Sequence, residues 1–290
     1  MAGSLLLRLA CGLILSLGIA LPAYRRGDLS PSGVLGALLT GTLTLGCGGW
    51  AWGLSLIAFF VSSSLLTRWR KRSKAALAEL FAKGGRRDLG QALANGGVGA
   101  VLAVLTAALP HPAWPAAFAG ALATATADTW ATEVGVLSPK PPRLITTRKT
   151  VPAGTSGGVT LWGTLAGAGG ALFLGTTFYL LGLGEAALPG RGGDAACCSS
   201  TVIPLALAGG LLGMAFDSLL GATVQGIYRC PRCGKETERR NHCGGPTVLL
   251  RGRPWLTNDG VNLLATLVGA TLAGGLALAI GLIWAGAFPP

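Results

Sequence analysis

Charged residues are scarce in this chain. They make up 12% of its 290 residues, about half the share found in a typical soluble domain. Acidic residues are the scarcer sign, with 11 Asp and Glu against 23 Lys and Arg, and histidine occurs only twice. This composition excludes most soluble enzymes. The hydrophobic share of 51% excludes a disordered chain, because disorder requires low hydrophobicity.

Long apolar runs account for most of the sequence. A helix needs roughly 20 apolar residues to cross a bilayer, and the 47 glycines favour close helix contacts. The runs predict an all-α fold, a polytopic transmembrane helix bundle that forms a single integral membrane domain over residues 1–290. The eight predicted spans are residues 4–22, 32–48, 51–67, 91–109, 114–135, 157–183, 202–226 and 259–287.

The first apolar run has two interpretations. A cleaved signal peptide contains a similar stretch, but no small-x-small cleavage site stands out and further apolar runs follow at once. We therefore interpret residues 4–22 as the first span. The second and third spans are separated only by Gly48, Gly49 and Trp50, which predicts a tight hairpin.

Cations alternate between loops. All but two of the 23 Lys and Arg residues, Arg8 and Arg191, lie in the loops after spans one, three, five and seven. Because positively charged loops stay in the cytosol, these loops are predicted to be cytosolic, and we expect a multi-pass protein of the plasma (inner) membrane. The alternation explains the net charge of +12 without a nucleic-acid partner, since no aromatic residues interleave with the basic runs.

Polar side chains form five groups, each at a span end that the charge pattern places in the cytosol. Ionisable groups at membrane depth are costly, so they are functional candidates. Ordinary helix capping and helix–helix hydrogen bonding is the alternative, favoured for a lone Asn or Thr but not for several acids. The groups are Asp88, Gln91 and Asn95; Asp128, Thr129 and Glu133; Lys149, Thr155 and Ser156; Asp217, Ser218 and Gln225; and Asn258, Asp259 and Asn262.

Three of these acids, Asp128, Glu133 and Asp217, are predicted to ligate Mg²⁺. Proteins hold Mg²⁺ through one or two carboxylates plus substrate phosphates, and nearby Lys and Arg neutralise the remaining phosphate charge. Asp128 and Glu133 are five residues apart, which is about 140° of rotation in a regular helix. They share one ion only if the helix breaks near Gly135; otherwise they hold different partners.

A candidate phosphate loop follows span five, with the sequence R-L-I-T-T-R-K-T-V-P-A-G-T-S-G-G at residues 143–158. Glycine lets a phosphate approach backbone N–H groups at a helix N-terminus, although the order is not that of a Walker A loop. The position of this loop, between the acids of span five and the start of span six, is what favours a role in phosphate binding. The predicted phosphate-binding residues are Arg143, Arg148, Lys149, Gly154, Thr155, Ser156, Gly157 and Gly158.

A second motif lies in the predicted cytosolic loop 227–258. C-P-R-C-G followed by H-C-G has the spacing of a metal knuckle, and a reducing cytosol favours a metal over a disulfide. Cys230, Cys233, His242 and Cys243 are candidate ligands of a structural Zn²⁺. The alternative is a rubredoxin-like turn that has lost its metal, since ligation by the neighbours His242 and Cys243 is cramped. The remaining cysteines, interpreted as apolar filling, are Cys11, Cys47, Cys197 and Cys198.

Five ordered motifs resemble one integral membrane family, over about residues 30 to 265. The family contains plant phytyl-phosphate kinase and vertebrate transmembrane protein 19. A fainter likeness relates the acidic span end and the following loop to CTP-dependent polyprenol and phytol kinases. The motifs are R-R-D-L-G-Q-A-L-A-N-G-G at 86–97, A-D-T-W-A-T-E-V-G at 127–135, the loop at 143–158, D-S-L-L-G-A-T-V-Q at 217–225 and N-D-G-V-N at 258–262.

The resemblance implies a membrane kinase that converts an isoprenoid monophosphate, such as the phytyl ester, into the diphosphate. A nucleoside triphosphate is the donor, and the fainter likeness implies CTP. Asp128, Glu133 and Asp217 would hold Mg²⁺ and nucleotide phosphates, and Lys149 with its basic loop would stabilise the transferring group. The pocket would be completed by Asp88, Gln91, Asn95, Gln225, Asn258, Asp259 and Asn262.

Two other functions remain open at this point. A transporter or flippase for a lipid phosphate or an ion also uses acids within spans and broken helices. Such a protein places its site near the bilayer midplane, whereas these groups are predicted at one face. A scaffold that docks partners through residues 227–258 is the third possibility, and it predicts no role for Asp128 or Asp217 in chemistry.

Overall fold

A computed structural model describes residues 2–69, 86–188 and 199–287 of the chain. The basic segment 70–85 and the loop that contains Cys197 and Cys198 lie outside the described residues. The described helices are α1 (Ala2–Arg25), α2 (Pro31–Gly48), α3 (Trp50–Arg68), α4 (Leu89–Ala108), α5 (Ala113–Gly135), α6 (Leu161–Ala186), α7 (Val202–Thr223) and α8 (Asn258–Ala287).

The predicted helix bundle is confirmed, and each predicted span corresponds to one of these helices. Six of the described helices are both long and apolar enough to cross a membrane, and α2 and α5 are not among the six. The position of α5 accounts for its composition. Almost every residue between Ala113 and Ala127 is buried by other helices, so this stretch does not have to match the apolarity of lipid.

Two predicted boundaries were wrong in ways that affect the site. Helix α6 begins at Leu161 rather than at residue 157, because Thr160 caps it by accepting a hydrogen bond from the Gly163 N–H at 3.0 Å. Helix α7 ends at Thr223 rather than at residue 226. Gln225 therefore lies beyond the helix end and not on one helical face with Asp217. Smaller differences extend α1 to Arg25 and α6 to Ala186.

The tight hairpin between α2 and α3 is confirmed. Gly49 is the single residue between the two helices, and its φ of +98° lies in the region that favours glycine. The carboxylate of Glu185, near the end of α6, accepts hydrogen bonds from the N–H groups of Trp50 at 3.3 Å and Ala51 at 3.0 Å. An acid is thus placed at the positive end of α3, where it satisfies unpaired helix donors.

Helix α5 is the centre of the bundle and packs against α6, α7 and α8. A Cβ added at Gly120 would clash with the carbonyl of Gly269 and with Ala273, so α5 and α8 are in backbone contact here. The Thr124 hydroxyl donates to the carbonyl of Gly120 at 2.9 Å. It also donates to the carbonyl of Gly209, on α7, at 3.1 Å. Small residues at such crossings allow close approach and good van der Waals packing.

An aromatic cluster fills the other side of α5. Phe118 packs on Trp52 of α3 with ring centroids 4.2 Å apart, and on Phe178 of α6 at 5.2 Å. All three side chains are almost fully buried. Aromatic pairs in these tilted geometries stabilise a core beyond the area they bury, so the cluster fixes α3 and α6 against α5.

One end of the bundle carries the loops that the charge pattern assigns to the cytosol, and we call it the inner end. Hydrogen bonds connect these loops: the Ser30 N–H donates to the Arg87 carbonyl at 2.9 Å, and the Ser156 hydroxyl donates to Gln225 at 2.7 Å. The predicted convergence of the polar groups on one end is confirmed. Their exposure to the cytosol stays a prediction.

Short strands organise two inner-end loops. In the loop between α5 and α6, β1 (Arg143–Leu144) pairs antiparallel with β2 (Gly158–Val159). In the loop between α7 and α8, a three-stranded antiparallel sheet has the order β4-β3-β7, and β5 pairs with β6. Their bounds are β3 (Ile227–Arg229), β4 (Glu236–Thr237), β5 (Asn241–His242), β6 (Gly245–Pro246) and β7 (Val248–Arg251).

The helix crossing at Gly120 leads to a stability prediction. Gly120→Val forces two methyl groups against the α8 backbone, and overpacking of this kind costs about 1–3 kcal/mol. We expect a lower thermal unfolding midpoint for the full-length variant in detergent. The matched control is Gly18→Val in α1, where an added Cβ meets nothing within 4 Å. Equal losses in the two variants would contradict this account of the crossing.

Candidate active site

The acids of α5 face two different sides of the helix. Helix α5 continues to Gly135 without a break, so the rotation of about 140° between Asp128 and Glu133 is preserved. The structure brings Asp128 together with Asp217, and it places Glu133 beside Thr67 and Arg87. The predicted metal ligands are therefore divided between two clusters.

The first cluster consists of three carboxylates, from Asp128, Asp217 and Glu238. Each of the first two experiences the negative charge of Glu238, and Asp217 also experiences that of Asp128. One carboxylate oxygen of Asp217, Oδ2, is buried and accepts no hydrogen bond from the described residues. Like charges gathered at membrane depth are unfavourable, so a nearby cation would be stabilised by these acids.

Gln225 links this carboxylate cluster to the candidate phosphate loop. Its side chain is 1% exposed, and its amide donates to Glu238 Oε1 at 2.9 Å while its carbonyl accepts from the Ser156 hydroxyl at 2.7 Å. A buried amide with both ends paired is strongly oriented. Gln225 therefore positions Glu238 and Ser156 with respect to one another.

Arg251, at the end of β7, fixes the candidate phosphate loop, residues 143–158, to helix α7. Its guanidinium donates to the carbonyls of Gly221 and Ala222, both at 2.8 Å, and to that of Ser156 at 3.2 Å. The first two are carbonyls at the C-terminal end of α7, where a cation is favourable. Burial lowers the pKa of Arg251, and the charge of Glu236 opposes this change.

Two glycines of the loop adopt a backbone that other residues disfavour. Gly154 has a φ of +84° and Gly157 a φ of +80°. A Cβ at Gly157 would also collide with the backbone and side chain of Ala222 at 2.5 Å. Glycine at this position allows the loop to lie directly on the end of α7, close to Asp217, which precedes Ala222 by five residues.

The cations of this loop lie on its surface. The side chains of Arg143, Arg148 and Lys149 are exposed, and the Leu144 N–H donates to the Lys149 carbonyl at 2.9 Å to close a tight turn. Thr155 directs its hydroxyl to the Pro152 carbonyl at 2.8 Å. Their predicted contact with phosphate stays a prediction, and so does that of Gly158.

The second cluster lies between α3, α5 and the segment before α4. The Thr67 hydroxyl donates to Glu133 Oε1 at 2.6 Å. The Arg87 guanidinium carbon lies 5.7 and 5.3 Å from the ring centroids of Phe59 and Phe60. Burial lowers the pKa of Arg87 to about 10, while the charges of Glu133 and Asp28 raise it, so Arg87 stays cationic at neutral pH.

The polar residues at the start of α4 make hydrogen bonds within their own helix, and those at the start of α8 are half-buried. Asp88 caps α4 by accepting from the Gln91 N–H at 3.0 Å, and the Asn95 amide donates to the Gln91 carbonyl at 3.0 Å. Gln91 Oε1 is buried and accepts no hydrogen bond from the described residues. Three residues of α8 lie half-buried in its first turns, namely Asn258, Asp259 and Asn262.

An apolar groove of about 960 Å³ runs between α2, α4, α5 and α8. Its lining includes Leu93 and Leu263 at one end, and Leu105 and Leu278 toward the other. Leu263 directly follows Asn262, so the groove begins beside the polar start of α8 at the inner end.

The predicted knuckle folds as a compact unit beside the carboxylate cluster. Ligand atoms of Cys230, Cys233, His242 and Cys243 all lie within 4.8 Å of one another. The Cys233 backbone N–H lowers the pKa of the Cys230 thiol to about 6, whereas hydrogen bonding with the Cys233 side chain raises that of Cys243 to about 11. Glu238 lies in the same loop, between the two halves of the knuckle.

Sequence reasoning missed Glu238 and the role of Arg251. Both lie in the loop 227–258, where a basic run has the ordinary explanation of positive-inside charge. A signal was present, because Glu236 and Glu238 are the two acids in this strongly basic loop. No spacing rule relates either of them to Asp128 or Asp217, since the contact depends on how the loop folds back.

The profile of the family described as "Integral membrane protein DUF92" matches residues 14–270. The chain belongs to this family. The match covers all five polar groups and both loops of the candidate site. No solved structure matches the chain.

Three relatives extend this finding. Protein PGR of Arabidopsis thaliana is 36% identical over 276 residues, covering 90% of this chain and 93% of its own length. An uncharacterized membrane protein of Methanocaldococcus jannaschii is 30% identical, covering 92% and 93%. Protein VTE6, chloroplastic, of Arabidopsis thaliana is 30% identical and covers 84% of this chain and 64% of its own length.

The family and these relatives support an integral, multi-pass membrane protein. They do not support our expectation of the plasma membrane, because Protein VTE6 of Arabidopsis thaliana is chloroplastic.

The contacts of Arg251 lead to a local prediction. Arg251→Met removes three hydrogen bonds from a charged donor, each worth about 1.5–3 kcal/mol. We expect amide hydrogen exchange in residues 145–158 to become about tenfold faster or more, while α5 is unchanged. Arg253→Met serves as the control on the same loop. Unchanged exchange in Arg251→Met would show that the guanidinium does not fix the loop.

Proposed function

We propose that this protein is a membrane kinase that phosphorylates an isoprenoid monophosphate at the inner end of the bundle. The transfer forms a bond between the γ-phosphorus of a nucleoside triphosphate and a phosphate oxygen of the acceptor. It breaks the bond to the β-phosphate, so a prenyl diphosphate and a nucleoside diphosphate leave. The observation that carries the proposal is the carboxylate cluster of Asp128, Asp217 and Glu238 beside the loop 143–158.

The carboxylate cluster offers the kind of ligand that a hard divalent cation prefers. Asp217 Oδ2 is buried and unpaired among the described residues, and carboxylate oxygens are the ligands that Mg²⁺ uses together with substrate phosphates. We assign Asp128, Asp217 and Glu238 to Mg²⁺ and leave Glu133 with Arg87 and Thr67. When bound, Mg²⁺ would neutralise charge on the bridging phosphate oxygens.

The chain's own residues would position the phosphates. Ser156 and its neighbouring glycines form the part of the loop that lies against α7, and Arg143, Arg148 and Lys149 supply exposed positive charge. An acceptor phosphate oxygen is already nucleophilic at neutral pH, so the reaction requires no strong general base. Orientation and charge neutralisation then provide most of the rate increase.

The apolar groove offers a place for the prenyl tail. It begins near Asn262 at the inner end and is lined mainly by leucine, alanine and glycine residues of α2, α4, α5 and α8. A chain inserted there would keep its phosphate at the inner end and its hydrocarbon among the helices. Burial of apolar surface of this kind supplies non-directional affinity.

Membership of the family that contains plant phytyl-phosphate kinase supports the phytyl ester as the first acceptor to test. CTP is proposed as the donor on the fainter likeness to polyprenol kinases. The transporter alternative is less favoured, because Asp217 lies six residues from the end of α7, about 9 Å along its axis, and Glu238 comes from an inner-end loop. A transport site near the midplane would have neither feature.

A matched pair of variants tests the proposal. Full-length protein in detergent with Mg²⁺ would be given phytyl, geranylgeranyl or farnesyl monophosphate and CTP, GTP, ATP or UTP, and the prenyl diphosphate measured. Glu238→Gln should lower turnover by about a hundredfold or more, because it removes a carboxylate that the proposal assigns to Mg²⁺ and so weakens the charge neutralisation of the phosphates. Asp128→Asn and Asp217→Asn should behave likewise.

The control is Glu236→Gln, which makes the same change two residues away on an exposed side chain. It should retain wild-type turnover. Equal losses at residues 236 and 238 would point to disruption of the loop instead. If folded wild-type protein forms no diphosphate from any pair, the kinase proposal is rejected and flux of a lipid phosphate in vesicles becomes the next assay.

A further inference from the structure

The knuckle brings four metal-ligating atoms to one point. The His242 Nδ1 atom lies 3.5 Å from Cys233 Sγ and 3.2 Å from Cys243 Sγ. A tetrahedral zinc with bond lengths of about 2.3 Å to sulfur and about 2.0 Å to nitrogen separates such ligand atoms by about 3.5 Å. These two distances agree with ligation of a single ion, and all four ligand atoms lie within 4.8 Å of one another.

The backbone is shaped to aim these side chains inward. Between Cys230 and Lys235 the chain makes a closed turn, with the Gly234 N–H donating to the Cys230 carbonyl at 2.9 Å and the Cys230 N–H donating to the Lys235 carbonyl at 3.0 Å. Gly234 has a φ of +71°, as this turn requires. The first pair of ligands is thus held on a preformed loop.

Cys243 resolves the difficulty of two neighbouring ligands. Its φ is +53°, a conformation that is uncommon for residues other than glycine. The turn it produces between β5 and β6 lets its thiol lie on the same side as the His242 ring. The Arg232 guanidinium donates to the Cys243 carbonyl at 2.6 Å, so the two halves of the knuckle are also connected directly.

We propose that Cys230, Cys233, His242 and Cys243 bind one structural Zn²⁺. Zinc fits because three thiolates and one imidazole in a closed tetrahedral set are typical of structural sites. Three thiolates with one Zn²⁺ leave a single negative charge, and the cations around the knuckle compensate it. These cations are Arg229, Arg232, Lys235, Arg239 and Arg240.

The metal has a consequence for the carboxylate cluster, and this part rests on the proposed function. Strand β4 and Glu238 lie between the Cys230–Cys233 turn and the His242–Cys243 turn. A metal that holds both turns fixes the two ends of the segment that contains Glu238. The carboxylate of Glu238 is thereby kept in its hydrogen bond with the Gln225 amide. Zn²⁺ would act here as a positioning element for Glu238 and make no contact with substrate.

The test uses full-length protein purified in detergent without chelators, with metal content measured by mass spectrometry. We expect about one zinc per chain in the wild-type protein. The zinc content of Cys233→Ser should be lower by about tenfold or more. Cys233 is exposed, so its replacement leaves no buried cavity. In wild-type protein, exchange with Co²⁺ should produce the visible absorption of a tetrahedral thiolate site, which reports ligation independently of any variant.

Cys11→Ser is the matched control, because Cys11 lies in α1, far along the chain from the knuckle, and it should retain the metal. Folded wild-type protein that takes up neither Zn²⁺ nor Co²⁺ under reducing conditions would overturn the proposal. So would a disulfide between two of the three cysteines, or an iron site. These readouts do not depend on turnover, so failure of the kinase proposal would leave the zinc result intact.

Discussion

Three charged carboxylates near one another at the inner end of a membrane bundle are unfavourable unless a cation or protons compensate their charge. Each buried charge loses hydration, and each experiences the repulsion of the others. The rest of the inner end is organised around this constraint. Gln225 orients Glu238, Arg251 holds the loop against α7, and an oxygen of Asp217 is left without a hydrogen-bond donor among the described residues.

The helices make this arrangement possible through close backbone contact. Gly120, Gly209 and Gly269 allow α5, α7 and α8 to approach without intervening side chains, which brings Asp128 of α5 and Asp217 of α7 close to one another. The two inner-end loops then cover the helix ends. A core of larger residues at the crossing would separate the acids, so packing and chemistry depend on the same glycines.

Much of this architecture follows from the sequence by simple rules. Apolar runs and alternating cations predict eight helices, and the 100° rotation per residue correctly separates Asp128 from Glu133. The remaining features depend on tertiary contacts that no periodicity encodes. Thr160 delays the start of α6 by capping, α7 stops before Gln225, and Glu238 reaches the carboxylate cluster only because its loop folds back over the helix ends.

The central claim is that these three carboxylates hold a divalent cation in contact with a transferable phosphate. Paramagnetic resonance of Mn²⁺, as a substitute for Mg²⁺, tests it most directly in full-length protein with a bound nucleoside triphosphate. The account predicts a bound Mn²⁺ signal with phosphorus coupling that is lost in Glu238→Gln and kept in Glu236→Gln. A signal that is the same in wild type and in Glu238→Gln, or that shows no phosphorus coupling, would contradict the account.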